Sequence, residues 1–253
     1  MGARMAQKTP LPTILVTGST RGIGAAIADT LQQAGATVIC HGSRNHRGAD
    51  ATTQAIIAAD LTDPQAPDRL WHEALAQSPN FRIDVLVNNA GLFAPNPIAA
   101  SDIAWLDAWE DTLRINLTAA AQLSRAAVQH WQAAGTGGRI VHIASRAGHR
   151  GDSPDHWHYA AAKGGMLALH KTIARAYAAQ GILSFAIAPG FTDTAMAGDY
   201  MSSRGGSGLL ADIPLGRVAT PQEIAAIARF CALDAPPSMT GAVIDANGAS
   251  YVR

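Results

Sequence analysis

Residues 13–35 read TILVTGSTRGIGAAIADTLQQAG: a short apolar run, a glycine-rich loop and an alanine-rich stretch that ends in glycine. The apolar run is typical of a buried strand, and the alanine-rich stretch is typical of a helix. Gly18, Gly22 and Gly24 join them with the spacing G-x-x-x-G-x-G. Glycines let the backbone turn tightly and approach a phosphate, whose charge is favoured at a helix N-terminus. This order of strand, loop and helix predicts a pyrophosphate-binding loop; a glycine-rich turn without a ligand is the alternative.

The rest of the chain continues the alternation of strand and helix. Ser101 suits the N-cap of a helical stretch, 101–135, which is either one long helix or a broken pair. The alternation predicts a mostly parallel, doubly wound α/β sheet of about seven strands with helices on both faces. The predicted strands are 13–17, 36–41, 54–60, 82–89, 139–145, 182–189 and 242–247, and the other helices are 22–35, 64–77, 158–181 and 220–233.

The domain organisation follows from the distribution of loop residues. No linker rich in Pro, Gly or Ser divides residues 12–253, which are predicted to form one domain, and residues 1–11 are predicted to be a flexible tail. The stretch 191–213 is rich in Gly, Ser and Met and shows no clear period. A connection this long inside one domain usually has a function, so we expect it to close over a bound ligand.

Composition excludes several classes of function. The chain of 253 residues is 48% hydrophobic and 15% charged, and its formal net charge is zero. This balance argues against nucleic acid or a membrane surface as a partner. The two cysteines, Cys40 and Cys231, have neither a disulfide nor a zinc spacing, which suits a reducing compartment. With no signal-peptide core and no apolar run of ~18 residues, a cytoplasmic protein is predicted.

The residues after the second predicted strand bear on which dinucleotide binds. An Asp or Glu at this point accepts hydrogen bonds from the ribose 2′-hydroxyl in folds that bind NAD. Here residues 40–44 read CHGSR, with no acidic residue before Asp50. Ser43 and Arg44, with Arg21 of the glycine loop, could hold a 2′-phosphate, since guanidinium suits phosphate. The stretch therefore predicts NADP(H); arginines that are merely solvated loop residues are the alternative.

Residues 156–163 read HWHYAAAK and place Tyr159 four residues before Lys163. On a helix these two residues share a face, so the phenol and the ammonium can reach the same small volume. An ordinary surface pair is the alternative. His149, His156 and His158 nearby could suggest a metal, but nine scattered histidines and no paired carboxylates argue against one, and no metal site is predicted.

Taken together, these motifs resemble the classical short-chain dehydrogenase/reductase family. They are the three glycines, NNAG at 88–91, Ser145, Tyr159 and Lys163, and Pro-Gly at 189–190, in that order, and the likeness extends from about residue 12 to the end. The resemblance implies a single Rossmann-type domain, usually assembled as a homotetramer. It also implies an NADP(H)-dependent oxidoreductase that interconverts a ketone and a secondary alcohol by hydride transfer.

The resemblance also implies the roles of individual residues. Tyr159 is the general acid/base, and Lys163 is the cation that favours its phenolate and holds the nicotinamide ribose. Ser145 hydrogen-bonds the substrate oxygen, and Asn116 supports a proton-relay water. Phe93, His149 and Trp157 are expected to shape substrate specificity. The predicted cofactor contacts are Gly18, Ser19, Thr20, Arg21, Gly22, Ile23, Gly24, Ser43, Arg44, Asp60, Leu61, Asn89, Ala90, Gly91, Tyr159, Lys163, Pro189, Gly190, Thr192 and Thr194.

Other functions remain open at this point. A reductase of 3-oxoacyl thioesters on acyl-carrier protein is one, although no strongly basic patch is evident to receive an acidic carrier. A non-catalytic dinucleotide sensor is another, since a fold does not determine a function. A sensor would have no need to keep Asn116, Ser145, Tyr159 and Lys163 together. A scaffold protein would leave the glycine loop unexplained.

Overall fold

A computed structural model of the chain describes residues 11–43, 56–194 and 210–253. Strands and helices alternate along it, as the sequence predicts. The strands are β1 Thr13–Val16, β2 Thr37–Gly42, β3 Ile56–Ala58, β4 Val85–Asn88, β5 Gly138–Ile143, β6 Ile182–Pro189 and β7 Val243–Ala246. The helices are α1 Gly22–Gln33, α2 Ala66–Gln77, α3 Asp102–Leu113, α4 Ala119–Ala134, α5 Ala147–Arg150, α6 Trp157–Tyr177 and α7 Pro221–Arg229.

The seven strands form one parallel sheet between two helical layers. Every residue of β1, β4 and β6 is buried, as expected when both faces of a sheet are covered. Successive residues of β1 alternate between layers: Ile14 and Val16 pack with α1 and α7, and Leu15 packs with α2 and α4. The predicted fold class, a doubly wound α/β sheet of seven parallel strands, is confirmed.

The strand order is β3-β2-β1-β4-β5-β6-β7. From β1 the chain continues to β2 and β3 on one side and then returns to β4 on the other. The two connections diverge above the carboxyl ends of β1 and β4 and leave a crevice there. In open α/β sheets this reversal point is where ligands bind.

The stretch 101–135 is a broken pair of helices. Ser101 caps α3, its side chain accepting a hydrogen bond from the Ala104 backbone N–H at 3.4 Å. A π-helical turn, Arg114–Thr118, joins α3 to α4. Single π turns within α-helices are frequent at functional sites, and this one contains Asn116. Most of the predicted tail and most of the stretch 191–213 lie outside the described residues, so the predictions of flexibility and closure stay predictions.

Candidate active site

A cleft of about 410 Å³ opens at the carboxyl edge of the sheet. The glycine loop, the ends of β2, β3 and β4, the segment after β5, and α6 line it. The predicted site residues in this lining are Gly18, Thr20, Arg21, Gly22, Ile23, Gly24, Ser43, Asp60, Leu61, Asn89, Ala90, Gly91, Phe93, Ser145, Tyr159, Lys163, Pro189, Gly190, Thr192 and Thr194.

The glycines of the loop are required by geometry. Gly18 has φ +65° and Gly22 has φ +57°, in the left-handed region that disfavours side chains. Gly24 is required because there is no space for a side chain: a Cβ would lie 2.1 Å from the Gly18 carbonyl oxygen. The loop therefore packs against its own backbone, and α1 begins directly behind it with no acidic residue in its first turn. These features suit close approach of a pyrophosphate to the backbone.

Hydrogen bonds between Thr17 and Asn89 close the bottom of the crevice. The Thr17 hydroxyl accepts from the backbone N–H groups of Asn89 and Ala90, each at 3.0 Å. The Asn89 amide donates to the carbonyls of Thr17, at 2.9 Å, and Gly18, at 3.0 Å. Asn89 thus joins the segments that follow β1 and β4 by hydrogen bonds, and it also lines the cleft.

Ser145, Tyr159 and Lys163 meet at the other end of the cleft. Ser145 follows β5, and its hydroxyl accepts from the Ala147 N–H at 3.1 Å and is hydrogen-bonded to the Tyr159 phenol. Lys163 is one turn along α6 from Tyr159, with its ammonium nitrogen 5.8 Å from the centre of the phenol ring. That nitrogen donates to the Ile143 carbonyl at 2.7 Å. The end of β5 thus positions both the serine and the lysine.

Burial dominates the acid–base properties of this group. It raises the pKa of Tyr159 to about 12, against a smaller lowering by the Ser145 hydrogen bond. It lowers the pKa of Lys163 to about 8. Loss of water outweighs the other influences on the phenol, so the pKa of Tyr159 is raised, and the stabilisation of its phenolate by the Lys163 cation stays a prediction. At neutral pH Tyr159 holds its proton and can act as an acid.

Asn116 lies next to these groups without lining the cleft. It is fully buried, its side-chain oxygen accepts from the Leu92 N–H at 2.6 Å, and its amide donates to the Leu92 carbonyl at 2.8 Å. A Cβ at Gly91 would lie 3.2 Å from the Asn116 oxygen and 3.8 Å from the Lys163 nitrogen. In this structure Asn116 holds the segment after β4 in place; its part in a proton relay stays a prediction.

Known proteins resemble the chain over nearly its whole length. The family described as Enoyl-(Acyl carrier protein) reductase matches residues 18–248. The 3-oxoacyl-(acyl-carrier-protein) reductase of Salmonella typhimurium is 34% identical over 94% of this chain and 96% of its own length. The chain belongs to the short-chain dehydrogenase/reductase family. It is accordingly an oxidoreductase that interconverts carbonyls and alcohols.

Other relatives in the family act on different molecules. The cis-4-hydroxycyclohexanecarboxylate dehydrogenase of Sinomonas cyclohexanicum is 34% identical over 98% of both chains. A crystal structure from Beutenbergia cavernae, assigned as an NAD(P)-dependent gluconate 5-dehydrogenase, contains NADP at low occupancy. It matches with a TM-score of 0.83 and 33% identity over 94% of this chain and 96% of its own. The family is therefore established, and the substrate differs among its members.

Several predicted residues of this short-chain dehydrogenase/reductase do not line the cleft. Ser19 points into β2, where its hydroxyl accepts from the His41 N–H at 3.0 Å. His149 stacks on Tyr251 with ring centres 5.6 Å apart, and Trp157 is 53% exposed at the start of α6. Their predicted contacts with cofactor or substrate stay predictions without support from this geometry. Arg44 lies outside the described residues.

Phe93 is the predicted specificity residue that does line the cleft. Its ring stacks on His156 with centres 4.1 Å apart and meets the Tyr159 ring edge-on at 4.8 Å. Phe93 therefore packs directly against the phenol of Tyr159, and its predicted part in substrate specificity stays a prediction.

Sequence reasoning missed other residues in the lining, including His41, Arg146, Asp152 and Phe191. Arg146 directly follows Ser145, and its guanidinium lies over the Phe191 ring at 4.7 Å from the centre. Its position next to the predicted catalytic serine was the available signal. The sequence carried no such signal for His41, because the contacts of this residue depend on how β2 is placed beside the glycine loop.

Among the described residues, no group of three or more His, Cys, Asp and Glu side chains is placed to hold a metal ion. Within residues 11–43, 56–194 and 210–253, no helix is long and apolar enough to cross a membrane.

Proposed function

We propose that the protein is an NADP(H)-dependent dehydrogenase/reductase that interconverts a small ketone and a secondary alcohol. The observation that carries the proposal is the placement of Ser145, Tyr159 and Lys163 around one end of a cleft whose other end is the glycine loop. A dinucleotide bound along this cleft would present its nicotinamide to the three side chains. When bound, the nicotinamide supplies or accepts the hydride.

The side chains supply position and a proton. Ser145 already accepts a hydrogen bond from Ala147, and its own hydroxyl proton can be donated to a substrate oxygen. Charge that develops on this oxygen during reduction is stabilised by that donor. Tyr159, protonated at neutral pH, then delivers its proton to the oxygen, and the Lys163 cation stabilises the phenolate that is left. In the direction of oxidation the same steps run in reverse.

The preference for NADP(H) is proposed from the end of β2. This strand ends at Gly42, and neither it nor the exposed Ser43 supplies a carboxylate to bind a 2′-hydroxyl. Arg21 and Ser43 both line that end of the cleft, and Arg44 follows in sequence. The NADP present in the structures from Beutenbergia cavernae and Agrobacterium tumefaciens supports the proposal, the latter at 30% identity and a TM-score of 0.81.

The test is the ratio of kcat/KM for NADPH to that for NADH. One charge-assisted contact to phosphate contributes about 1.5–3 kcal/mol, or roughly ten- to hundredfold. We expect a wild-type ratio in this range, which Arg44→Ala reduces to near one while kcat at saturating cofactor stays the same. A wild-type ratio below one contradicts the preference. An unchanged ratio in Arg44→Ala assigns the contact to Arg21, which Arg21→Ala then tests.

The substrate is proposed to be a small alcohol or ketone; the thioester alternative rests on the acyl-carrier-protein reductase relatives. Besides Lys163, the residues that line the cleft near Ser145 include a second cation and an anion, Arg146 and Asp152. This mixed polarity suits a polar substrate more than a plain acyl chain. A panel of gluconate, 4-hydroxycyclohexanecarboxylate, simple secondary alcohols and 3-oxoacyl thioesters, assayed in both directions, decides between them. Activity confined to thioesters overturns the proposal.

A homotetramer and a cytoplasmic location are part of the proposal. The alanine-rich α4 and α6 permit close packing against another copy, and Ile103 and Leu106 of α3 are exposed. The two cysteines are buried thiols, which suits a reducing compartment. Light scattering at micromolar concentration tests the assembly: a mass near four chains is expected, and a monomer contradicts it.

A further inference from the structure

His41 occupies an unusual place at the end of β2. The residue is 2% exposed, yet it reaches the lining of the cleft. Its Nδ1 accepts a hydrogen bond from the Gly18 backbone N–H at 3.1 Å, and its Nε2 lies 2.9 Å from the Ala59 carbonyl oxygen. Gly18 N–H can only donate and the Ala59 carbonyl can only accept. The ring is therefore the neutral tautomer that carries its hydrogen on Nε2.

One imidazole thus connects three segments that line the cofactor end of the cleft. Gly18 is the first glycine of the loop, His41 belongs to β2, and Ala59 follows β3. The backbone strengthens the connection, since the Ser19 N–H donates to the His41 carbonyl at 2.9 Å. Burial lowers the pKa of His41, against a smaller rise from the Ala59 hydrogen bond, so the neutral ring persists at neutral pH.

Hydrogen bonds hold the backbone of Gly18 on both sides. Gly18 has φ +65° and lies close to the segment after β4, since a Cβ there would be 2.9 Å from the Ala90 Cα. Its N–H is held by His41, and its carbonyl accepts from the Asn89 amide at 3.0 Å. Gly18 leads directly into the part of the loop that continues through Thr20 and Arg21 along the cleft.

We propose that His41 is a positioning residue that holds the glycine loop through Gly18 and thereby sets the affinity for the cofactor. The inference rests on the proposed binding of NADP(H). It differs from the role expected of a residue at the end of β2, because His41 acts on the loop rather than on the ribose. If His41 served only to fill the core, its replacement would change the stability of the fold and would leave the affinity for the cofactor unchanged.

Two substitutions separate the bonds of the ring. The amide of His41→Asn lies near the Nδ1 position and can still accept from Gly18, whereas the amide of His41→Gln reaches the Nε2 position and keeps only the bond to Ala59. We expect His41→Gln to raise the Kd for NADPH about tenfold, which corresponds to about 1.4 kcal/mol, with kcat at saturating NADPH unchanged. His41→Asn is expected to keep the Kd within about threefold of wild type.

A second buried histidine provides the control. His170 on α6 is fully buried, with Nδ1 2.8 Å from the Ser184 hydroxyl, and it does not line the cleft. His170→Gln is expected to lower the melting temperature without changing the Kd for NADPH. If His41→Gln does not fold, His41→Thr, which lacks both ring nitrogens and suits a strand, replaces it with the same expected loss.

The measurement is a fluorescence titration of each variant with NADPH beside a thermal melt. Equal Kd values for His41→Gln and His41→Asn, or a change in melting temperature alone, overturn the inference about His41. Failure of the wild-type protein to bind NADPH at all contradicts the proposed cofactor instead, so the two failures are distinguishable.

Discussion

The two ends of the cleft differ in whether the backbone or the side chains provide their main chemical groups. At the glycine loop, three positions lack side chains, and a Cβ at Gly24 would collide with the Gly18 carbonyl, so that backbone contributes to the lining of the cleft. At the catalytic end, buried side chains carry the chemistry, and loss of water shifts the pKa values of Tyr159 and Lys163 in opposite directions. We therefore expect changes at the loop to act on cofactor affinity and changes at the catalytic end to act on turnover, with Lys163 acting on both.

The largest effect is expected for Tyr159→Phe. The substitution removes the phenol hydroxyl and leaves the ring against Phe93. Because positioned acid–base catalysis contributes about 10²–10⁴-fold, we expect kcat to fall by about 10³-fold or more with the Kd for NADPH unchanged. Steady-state kinetics with a substrate from the panel and a fluorescence titration measure the two quantities. Turnover near that of wild type would remove Tyr159 as the acid.

Lys163→Met is expected to have the next largest effect. Methionine keeps most of the buried volume, so the loss reports the ammonium and its bond to the Ile143 carbonyl rather than a cavity. We expect kcat to fall about 10²-fold and the Kd for NADPH to rise, because the ammonium is proposed to serve both the phenolate and the cofactor ribose. An unchanged Kd would confine Lys163 to catalysis and sharpen the division between the two ends.

A substitution at the loop tests the other end of the cleft. In Gly24→Ala the new Cβ must displace the Gly18 carbonyl, so we expect KM for NADPH to rise about thirtyfold with kcat nearly constant. Gly135→Ala is the matched control: Gly135 has φ +63° at the end of α4 with no heavy atom within 4 Å of a Cβ. It should lower stability by about 1 kcal/mol and leave KM unchanged. A fall in kcat in Gly24→Ala would contradict the division.

The smallest effect concerns pH. Lys163, with a pKa of about 8, is charged below that pH and loses its proton as the pH rises through it, whereas Tyr159, with a pKa of about 12, stays protonated. The value of kcat/KM for NADPH in ketone reduction reports the free enzyme, so we expect it to be level below about pH 7, to fall about twofold by pH 8 and to fall about fivefold more from pH 8 to pH 9. A level profile up to pH 10 would show that Lys163 is charged throughout or is not required.

The sequence alone was sufficient to predict much of the side-chain arrangement at the catalytic end of the cleft. The four-residue interval from Tyr159 to Lys163 needs only a helix to bring the two residues onto one face, and α6 is that helix. The sequence did not indicate the direction in which the pKa of Tyr159 is shifted, because a rule based on a nearby cation does not include how much water the fold removes. It also assigned cleft contacts to His149 and Trp157, whose side chains face Tyr251 and solvent.

What the sequence by itself determined is local: the alternation of apolar strands with helices, the glycines that a tight loop requires, and the intervals between residues on one helix. Each of these features depends on contacts between residues that are close in sequence, so a short segment specifies it independently of the rest of the chain. Only the tertiary structure decided that β1 lies between β2 and β4, and hence that His41 supports Gly18 and Asn89 bonds back to Thr17. These contacts join segments that are far apart in sequence, and the burial of Tyr159 likewise depends on elements from different parts of the chain that pack around it.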